Sequence, residues 1–372
     1  MSSPPVVIIA GTASGVGKTS VATGLMAALR HAGHVVQGTK VGPDYVDPGY
    51  HAVATGRPAR NLDAWLSGAD LLVPLLHHGS AGADITVIEG VMGLFDGAHP
   101  DSEFASTAHI AKVLDAPILL VVDASAIARS VAAVVHGYAT FDPGLRLAGV
   151  ILNRVGSTGH ADLLRTALAP LGVDVIGALP HTEALTTPSR HLGLVPVAER
   201  DAEARHTVEE LGRWVAAHVD LPAVMALARG ARVPATPRWS PAGEESRVSG
   251  GGAGGGGAVR PRVRIAVAEG LAFSFRYTEN LEVMKAAGAD LLPFDPLVDV
   301  SLPEGTAAVY LGGGFPEVHG AALAANHPML ASVAAHALAG LPVVAECGGL
   351  LYLCRQVDGI DQTGVLPASG RM

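Results

Sequence analysis

The sequence contains very little cysteine: Cys347 and Cys354 are the only two in 372 residues. Two thiols offer no disulfide framework, and their separation does not match the Cys-x-x-Cys spacing of a structural zinc site. No apolar run reaches membrane-spanning length either, since Asp, Pro or Gly breaks each one within about ten residues. The N-terminal segment MSSPPVVIIAG also lacks the basic region of a signal peptide. We therefore expect a cytoplasmic protein with no membrane partner.

Basic residues are outnumbered, and lysine is the rarer of the two kinds. The 25 Lys and Arg residues against 34 Asp and Glu give a net charge of −9 at pH 7, which argues against nucleic acid as a partner. Only four residues are lysines. In a chain that prefers arginine so strongly, a retained lysine hints at a specific requirement. Two of the four, Lys18 and Lys40, fall in the motifs described next.

What the sequence does contain is a regular alternation of apolar strand-like runs with helix-like segments. The runs are apolar on both faces, as in PILLVVD and GVILN, which is typical of a parallel sheet covered by helices on both sides. A chain of 372 residues is also too long for one ordinary core. We predict two α/β domains, at 1–230 and 262–372, joined by a Gly/Pro-rich linker at 231–261.

The first apolar strand leads straight into a glycine-rich turn. The strand VVIIA is followed by GTASGVGKTS and then by a helix, which is the arrangement of a phosphate-binding loop. Glycines allow backbone N–H groups to point at phosphates, and the helix N-terminus adds partial positive charge. Lys18 would reach the β- and γ-phosphates of ATP, and Thr19 would hold Mg²⁺. The predicted ATP-binding residues of this loop are Gly11, Thr12, Gly15, Gly17, Lys18 and Thr19.

Two other interpretations of this turn stay open. The strict Gly-x4-Gly-Lys-Thr spacing fails by one residue, because Thr12 stands where its first glycine would be, so the turn could be purely structural. The flanking strand and helix instead favour a variant loop that starts at Gly11. A loop of this kind also occurs in partition-type ATPases, which are ATP-gated positioning modules. Their loop resembles Lys-Gly-Gly-x-Gly-Lys-Thr, and here Ala13 occupies the position of the extra lysine, which counts against that class.

Acidic residues follow the predicted strands at several points. Lys40 closes a strand and begins KVGPDYVDPGYH; the motifs RNLDAW and VIEGVMGLFDG come later. Ligands bind at the carboxyl ends of strands in open parallel sheets, and carboxylates there can hold Mg²⁺ against phosphates. For any single aspartate, turn or helix-cap chemistry is the competing explanation. The acidic residues in these motifs are Asp44, Asp47, Asp63, Glu89 and Asp96.

These motifs together resemble one enzyme family. GTASGVGKTS, KVGPDYVDPGYH, RNLDAW, IEGVMGLFDG, GVILNRVGS and RHLGLVP, followed by AFSFRYTENLE, YLGGGFPE and AECGGLLYL, are similar to the cobyrinic or hydrogenobyrinic acid a,c-diamide synthases of corrin biosynthesis. The resemblance covers nearly the whole chain in order. Cobyric acid synthase is the runner-up and is less similar, since it lacks the Met-Gly-Leu-Phe-Asp-Gly run.

The resemblance implies a fold and a reaction. The fold would be a P-loop, dethiobiotin synthetase-like parallel-sheet domain followed by a triad-type glutamine amidotransferase-like α/β domain. ATP would phosphorylate the c and then the a acetate carboxylate of the corrin, and ammonia derived from glutamine would displace phosphate. The implied co-substrate is therefore ATP, the cofactor Mg²⁺, and the partners a corrin and glutamine or free ammonia. Whether the protein forms a homo-oligomer is left open.

The resemblance also implies roles for individual residues. Lys18 and Lys40 would contact phosphates. The Mg²⁺ ligands would be Thr19, Asp63 and Glu89. The corrin carboxylate would be activated beside Asp44, Asp47 and Asp96. Asn153, at the end of the strand ILN, is similar to the adenine-recognising asparagine of dethiobiotin synthetase.

In the second domain the resemblance assigns Cys347, in AECGG, as the nucleophile that attacks glutamine. The backbone at Gly313 and Gly314 would form the oxyanion hole. A helix over 350–355 would follow, and Cys354 is expected to be a buried structural thiol.

Two departures from the family pattern stand out. The family places the histidine that activates the cysteine well downstream, but no histidine follows Cys347 here, and His336 lies on the helix before the cysteine strand. Glu269-Gly270 replaces the usual Arg-Asp. We therefore expect an amidotransferase domain that is incomplete at its C-terminus, in a truncated product or fragment with a compromised glutaminase half.

Overall fold

A computed structural model describes residues 4–182, 189–190, 193–194, 201–248 and 262–372. The chain forms two compact units, of which the first ends at Trp239 and the second begins at Ser240. Residues 191–192 and 195–196 of the motif RHLGLVP and residues 249–261 of the predicted linker lie outside the described residues.

The first unit is built on a seven-stranded parallel sheet with the order β3-β2-β4-β1-β5-β6-β7. Its strands are β1 (Val6–Gly11), β2 (Val36–Val41), β3 (Arg60–Leu62), β4 (Ile85–Glu89), β5 (Ile118–Asp123), β6 (Leu147–Val155) and β7 (Val175–Pro180). A short antiparallel pair, β8 (Ser189–Arg190) and β9 (Gly193–Leu194), follows. The predicted α/β fold with a parallel sheet is confirmed.

Eight helices accompany the described strands of this unit. They are α1 (Lys18–His31), α2 (Val46–Thr55), α3 (Leu72–Gly79), α4 (Thr107–Leu114), α5 (Val131–Thr140), α6 (Thr158–Leu168), α7 (Asp201–His218) and α8 (Leu221–Arg229). Strands β1 and β4 are buried along their whole length, which explains why both faces of these segments are apolar.

Helix α1 packs closely on α7, and small residues allow the approach. A Cβ on Gly24 would lie 2.7 Å from the carbonyl oxygen of Leu211, and one on Gly212 would lie 2.9 Å from Cβ of Ala27. The backbones of the two helices therefore meet where any larger side chain would collide. This contact fixes α1, and with it the glycine-rich turn that precedes α1, over the edge of the sheet.

The chain immediately after α8 still belongs to the first unit. Ala231 and Val233 are buried in its core, and the N–H of Trp239 donates to the carbonyl of Pro74 at 3.0 Å. The packed region thus extends beyond residue 230, where we had placed the end of the domain, because apolar side chains continue to find core partners up to Trp239.

The second unit contains a parallel four-stranded sheet with the order β11-β10-β12-β13 and a small three-stranded sheet with the order β15-β14-β16. The strands are β10 (Val263–Ala268), β11 (Ala289–Phe294), β12 (Ala308–Leu311), β13 (Val343–Ala345), β14 (Cys354–Val357), β15 (Ile360–Asp361) and β16 (Leu366–Gly370). The helices are α9 (Pro241–Val248), α10 (Thr278–Ala286), α11 (Gly320–Ala325), α12 (His327–Leu338) and α13 (Gly348–Leu353).

The helix predicted over 350–355 is corrected at both ends. Helix α13 begins at Gly348 and ends at Leu353, and the chain then turns into strand β14. Cys354 is therefore the first residue of a strand. It is buried, as we expected, and its Sγ lies 3.5 Å from the carbonyl oxygen of Leu350. Among the helices that the structure describes, none is long and apolar enough to span a membrane.

Candidate functional site

The glycine-rich turn connects β1 to α1 in the way that the sequence predicted. Gly17 has a φ of 94°, in the left-handed region that glycine adopts readily. A Cβ on Gly17 would lie 2.3 Å from Nδ2 of Asn153, and a Cβ on Gly11 would lie 2.7 Å from the Val16 side chain. Both positions therefore require glycine, since the loop closes on itself and on strand β6.

Two predicted loop residues have their polar groups already engaged. The N–H of Thr12 donates to the carbonyl of Val121 at 3.2 Å, and its own carbonyl accepts the Tyr138 hydroxyl. Lys18 folds back over the loop, and its Nζ donates to the carbonyl of Ala13 at 3.0 Å. The backbone of Thr12 thus anchors the loop to its neighbours rather than facing a phosphate.

Asn153 lies beside the loop and contacts it. Its Nδ2 donates to the carbonyl of Val16 at 2.8 Å, and its Oδ1 accepts the N–H of Arg154 at 2.9 Å. The side chain is buried, and its amide keeps one further N–H and one further lone pair. Asn153 therefore holds the phosphate loop in shape, and its adenine-recognising role stays a prediction.

Arg154 is a residue that the sequence analysis did not single out. It has a φ of 58°, which is rare for a residue with a side chain, and its guanidinium pairs with Asp123 and donates to the carbonyl of Gly15 at 2.9 Å. A basic residue directly after Asn153, near the end of β6, was the available signal.

The strand ends bring the predicted carboxylates to the same edge as the loop. Glu89 is in register with Lys40 of β2 on one side and with Ile9 of β1 on the other. Thr19, in the first turn of α1, reaches across this edge, and its Oγ1 donates to Oε1 of Glu89 at 2.6 Å. The loop and the acidic strand ends therefore share one cleft.

Lys40 is the centre of this cleft. Its Nζ lies 2.7 Å from Oδ2 of Asp47 and 2.8 Å from Oε1 of Glu89, and it also donates to the carbonyl of Gly90 at 3.1 Å. The Thr19 hydroxyl lies 3.3 Å from the same Asp47 oxygen. We call Thr19, Lys40, Asp47, His51 and Glu89 the Lys40 cluster. The ammonium of Lys40 is buried and is held by two carboxylates on different elements.

His51 completes the cluster and was missed from the sequence. Its Nε2 lies 2.7 Å from Oε2 of Glu89, and both side chains are fully buried. Because the Glu89 carboxylate accepts, Nε2 of His51 carries the proton. The signal was present, since His51 follows Asp47 by four residues on α2 and must share its face.

The charges of the cluster shift one another's pKa values. Burial alone would raise the pKa of Glu89, but the Lys40 ammonium and the His51 hydrogen bond hold it below its usual range. Burial lowers the pKa of Lys40, yet Glu89 and Asp47 outweigh burial and raise it. For Lys18, burial and the nearby Lys40 charge together lower the pKa. The two lysines are therefore in opposite electrostatic situations.

Asp47 provides a testable pH dependence. Burial, followed by the Glu89 charge, raises the pKa of Asp47 from 3.8 to about 8. Between these values the native state keeps a proton that the unfolded state has lost, so Asp47 makes the free energy of unfolding fall as the pH rises. We expect Asp47→Asn to flatten this slope, as measured by urea unfolding of the nucleotide-free protein between about pH 5 and 8. The control is Asp162→Asn on the exposed face of α6, which should keep the slope; an unchanged slope in Asp47→Asn would contradict the assignment.

Two other predicted aspartates perform turn chemistry. Oδ1 of Asp44 accepts the N–H groups of Val46 and Asp47 at 2.8 and 3.2 Å, and Asp44 also lies 3.9 Å from Nζ of Lys40. Oδ1 of Asp63 accepts the N–H of Trp65 at 2.8 Å, while its buried Oδ2 has no partner among the described residues. Asp44 thus borders the Lys40 cluster, and Asp63 keeps one oxygen available at the end of β3.

Asp96 lies in the loop after β4. Its Oδ2 accepts the N–H of Gly93 at 2.8 Å. Burial raises the pKa of Tyr138, and the Asp96 charge raises it further. Burial lowers the pKa of Lys18, and the Asp96 charge opposes this lowering only in part. Asp96 therefore lies close to Lys18 of the phosphate loop and to Tyr138.

The second unit presents Cys347 at a sharp turn. Cys347 is exposed, sits between β13 and α13, and has a φ of 49°, so its backbone is in a region that a residue with a side chain rarely adopts. Gly349 closes the turn by donating its N–H to the carbonyl of Gly312 at 3.0 Å. This is the strained geometry expected of a nucleophile at a strand-to-helix turn.

Of the two N–H groups predicted to form the oxyanion hole, one is already hydrogen-bonded. The N–H of Gly313 donates to the carbonyl of Phe275 at 3.0 Å, in a bridge that also runs in the reverse direction. Gly313 therefore cannot offer this N–H to a substrate without breaking the bridge. Gly314 is next along the chain, and a Cβ on Gly348 would lie 3.0 Å from its nitrogen.

The histidine and the Glu269-Gly270 departure can now be placed. Nε2 of His336 lies 3.3 Å from the carbonyl oxygen of Pro342, and within the described ranges no histidine hydrogen-bonds to Cys347. Glu269 pairs with Arg276 at 3.2 Å. At Gly270 the Asp295 carboxylate fills the space of a side chain, since a Cβ there would lie 2.2 Å from its Oδ2.

Comparison with known families matches both units. Residues 7–195 match the family described as the CobQ/CobB/MinD/ParA nucleotide binding domain. Residues 264–371 match the CobB/CobQ-like glutamine amidotransferase domain.

Individual relatives are similar along almost the entire chain. The chain is 51% identical over 390 residues to the hydrogenobyrinate a,c-diamide synthase of Streptomyces coelicolor, covering 100% of this chain and 80% of that protein. It is 54% identical over 371 residues to the enzyme of that name from Thermobifida fusca, covering 99% and 77%. Identity to the cobyrinate a,c-diamide synthase of Syntrophotalea carbinolica is 45% over 374 residues, covering 99% and 78%.

Proposed function

The chain belongs to the family of a,c-diamide synthases of cobalamin biosynthesis, and from this premise we propose how its residues divide the reaction. The chain is a glutamine-dependent carbon–nitrogen ligase that uses ATP to amidate the a- and c-acetate carboxylates of a corrin. The first unit activates the carboxylate, and the second unit supplies ammonia. Cobyric acid synthase and a partition-like ATPase switch are not favoured by the relatives.

One observation carries the assignment of the first unit. The phosphate loop and the acidic strand ends converge, because Thr19 and Lys40 both contact the Glu89 and Asp47 carboxylates within 3.3 Å. A triphosphate gripped by the loop would therefore end beside the Lys40 cluster. A carboxylate is a poor electrophile, so an enzyme that converts it into an amide must first give it a leaving group, and phosphate serves this purpose.

The oxygen donors of the cluster fit Mg²⁺. Thr19 Oγ1, Asp47 Oδ2 and Glu89 Oε1 are hard ligands that lie close together, and Asp63 has an unpartnered buried oxygen. Thr19 and Glu89 would hold the ion, with Asp47 and Asp63 as further candidates. When bound, Mg²⁺ neutralises charge on the phosphates. Such sites use one or two carboxylates plus phosphate oxygens, so a complete protein cage is not required.

The chemistry of the first unit then has two steps. A carboxylate oxygen of the corrin attacks the γ-phosphorus of ATP, and ADP leaves with the bridging oxygen. Ammonia attacks the carbonyl carbon of the acyl phosphate, and inorganic phosphate leaves. Lys18 and Lys40 reduce the repulsion between the negative corrin carboxylate and the negative triphosphate as the two approach. Asp47 favours the same approach near neutral pH, since its raised pKa keeps part of it uncharged.

The cobalt-free corrin is the proposed preferred substrate. Relatives named for hydrogenobyrinate are 51% and 54% identical, whereas the relative named for cobyrinate is 45% identical. The test is incubation of the chain with ATP, Mg²⁺, ammonia and either corrin, followed by mass spectrometry. We expect two successive replacements of OH by NH₂, faster with hydrogenobyrinate. ATP hydrolysis without any change in corrin mass would contradict the proposed function.

In the second unit, Cys347 is the proposed nucleophile toward the glutamine amide. Its exposed thiol can meet a substrate, and the N–H of Gly314 is the better-placed oxyanion donor because that of Gly313 is occupied. The thiol needs a base, and within the described residues no histidine is hydrogen-bonded to it.

The proposed role of Cys347 leads to a prediction about the nitrogen donor. We expect Cys347→Ala to lose amidation supported by glutamine and to keep amidation supported by free ammonia, because only the glutamine route needs the thiol as a nucleophile. The measurement compares amide formation at saturating ammonia and at saturating glutamine, alongside glutamate release from glutamine alone. Cys354→Ala, at a buried thiol, is the control and should change amidation with neither donor. Loss of ammonia-supported amidation in Cys347→Ala would show that the prediction is wrong.

Finally, we propose the cytoplasm as the location of the chain. Its co-substrates ATP and glutamine are cytoplasmic metabolites, and its two cysteines are both free.

A further inference from the structure

Large apolar side chains are exposed at the strand ends that carry the candidate site. Trp65 is 61% exposed, Leu66 62% and Met92 43%. Trp65 and Leu66 follow Asp63 directly after β3, and Met92 follows Glu89 after β4. Single exposed apolar residues are common, but several that follow strand ends along one edge of a sheet beside a polar cleft are typical of an interaction surface. We call these three residues the apolar shelf.

Trp65 is exposed yet fixed in place. Its N–H donates to Oδ1 of Asp63 at 2.8 Å, so its backbone is tied to a candidate site residue. Its ring tilts against His99 and Phe104, with ring centroids 6.1 and 6.3 Å apart. Both of these residues belong to the segment after β4 that also contains Asp96. An aromatic ring held from one side offers its other side to a partner at little entropic cost.

Met92 has an independent mark of functional placement. Its φ is 46°, in the left-handed region, although it carries a long side chain and is not a glycine. Strain of this kind persists only where the surrounding structure imposes it, and it concentrates at ligand sites. The strained residue lies between Glu89 of the Lys40 cluster and Asp96.

The order of the strands separates the two substrates. Asn153 and Arg154, which hold the phosphate loop from the side, lie near the C-terminal end of β6, on the far side of β1. The apolar shelf follows β3 and β4, on the other side of β1. The part of the cleft toward the shelf is therefore left for the second substrate. An acetate arm has a single CH₂ between macrocycle and carboxyl, so the macrocycle must lie against the rim when the carboxyl reaches the cluster.

We propose that the apolar shelf is the docking surface for the corrin macrocycle, with Trp65 and Met92 contacting its apolar face while one acetate arm enters the Lys40 cluster. The inference rests on the proposed function, since it concerns the substrate of that same site. The shelf is connected to the site through the Asp63–Trp65 hydrogen bond. A corrin has a broad, largely apolar ring edged by carboxylates, so its ring matches the apolar shelf and its carboxylates match the buried lysines.

The experiment compares substitutions on and off the shelf in the full chain with ammonia as nitrogen donor. Trp65→Ala and Leu66→Ser should raise KM for hydrogenobyrinate by about tenfold or more, with KM for ATP unchanged within about twofold. Trp65→Phe should recover most of the affinity, because a ring is retained. Leu163→Ser, at an exposed leucine on α6, is the matched control and should change neither KM.

A binding measurement accompanies the kinetics. Hydrogenobyrinate should quench the tryptophan fluorescence of the wild type. Most of this quenching should be lost in Trp65→Phe, which keeps only Trp214 and Trp239. Unchanged corrin KM in both Trp65→Ala and Leu66→Ser would overturn the inference while amidation by the wild type keeps the proposed function. An equal rise in KM for ATP, or a change confined to sedimentation behaviour, would assign the shelf to structure or self-association and overturn it as well. A wild type that neither binds nor amidates a corrin would instead refute the proposed function.

Discussion

Lys40→Met is expected to abolish ATP-dependent amidation and to destabilise the first unit strongly. The ammonium of Lys40 is buried between Asp47 and Glu89, at 2.7 and 2.8 Å. Its removal leaves the ionised Glu89 carboxylate in the interior without its main counter-charge. Removing one partner of a buried ion pair costs about 3–5 kcal/mol, because the remaining charge stays desolvated and uncompensated. For a unit of this size the melting temperature should fall by about 10 °C.

The stability lost in Lys40→Met depends on the pH of the measurement. The pKa of Glu89 is held below its usual range and that of Lys40 above it, so their mutual stabilisation is present from acidic pH, above the native pKa of Glu89, up to alkaline pH. Unfolding measured near neutral pH therefore reports the full effect. The double variant Lys40→Met with Glu89→Gln should regain part of the stability, since it removes the uncompensated charge, but no activity.

The matched control is another lysine that forms ion pairs. Lys112 pairs with Glu103 and Asp142, each at 2.5 Å, but on the surface. Lys112→Met should cost less than about 1 kcal/mol and leave amidation unchanged, because solvent screens exposed pairs. A Lys40→Met variant that is as stable and as active as Lys112→Met would contradict the role of the Lys40 cluster.

Lys18→Met is expected to remove activity as Lys40→Met does, but without lowering the free energy of unfolding. Burial and the Lys40 charge lower the pKa of Lys18, so the folded, nucleotide-free protein tolerates this ammonium at a cost. A lysine with a lowered pKa destabilises the native state at every pH below its unfolded value, and its removal relieves that cost. The unfolding free energy should therefore stay unchanged or rise, whereas kcat/KM for ATP should fall about a thousandfold with the loss of a phosphate-neutralising charge.

The measurement is made on one preparation of each variant. Calorimetric titration with ATP and Mg²⁺ should show weakened binding in Lys18→Met, and urea unfolding without nucleotide should show no loss of stability. If Lys18→Met is destabilised as much as Lys40→Met, then Lys18 is a structural cation and the phosphate-loop assignment is wrong.

Much of the fold was predictable because buried parallel strands leave continuous apolar runs in the sequence. The same logic brought Lys18, Lys40 and Glu89 together, since the carboxyl ends of neighbouring parallel strands must meet at one edge. The two site lysines were also singled out by the scarcity of lysine in the chain. Local pattern and sheet topology therefore sufficed to predict that these three residues lie together.

Contacts made at longer range were not predictable in the same way. His51 was missed because its role depends on how α2 packs against β2, which places Nε2 against Glu89 of the neighbouring strand β4 at 2.7 Å. Nδ2 of Asn153 donates to the phosphate loop, and the N–H of Gly313 donates to the carbonyl of Phe275. Residue identity shows what a side chain or N–H can bind, but only the packed structure shows which partner has already taken it.

The end of the second unit shows the limit of periodicity. The sequence LLYLCR is compatible with a helix, yet α13 ends at Leu353 and Cys354 pairs in a strand with Leu366. The partner strand lies outside the window that a helical pattern samples, so pairing at a distance overrode local preference.

The most direct test of the two-step activation follows the oxygen of the corrin carboxylate. Hydrogenobyrinate labelled with ¹⁸O in its carboxylates is incubated with the chain, ATP, Mg²⁺ and ammonia, and the released inorganic phosphate is analysed by mass spectrometry. Attack of the carboxylate on the γ-phosphorus predicts one ¹⁸O in phosphate for each amide formed, with ADP as the nucleotide product. Amide formation with unlabelled phosphate, or with AMP and pyrophosphate as products, would contradict it.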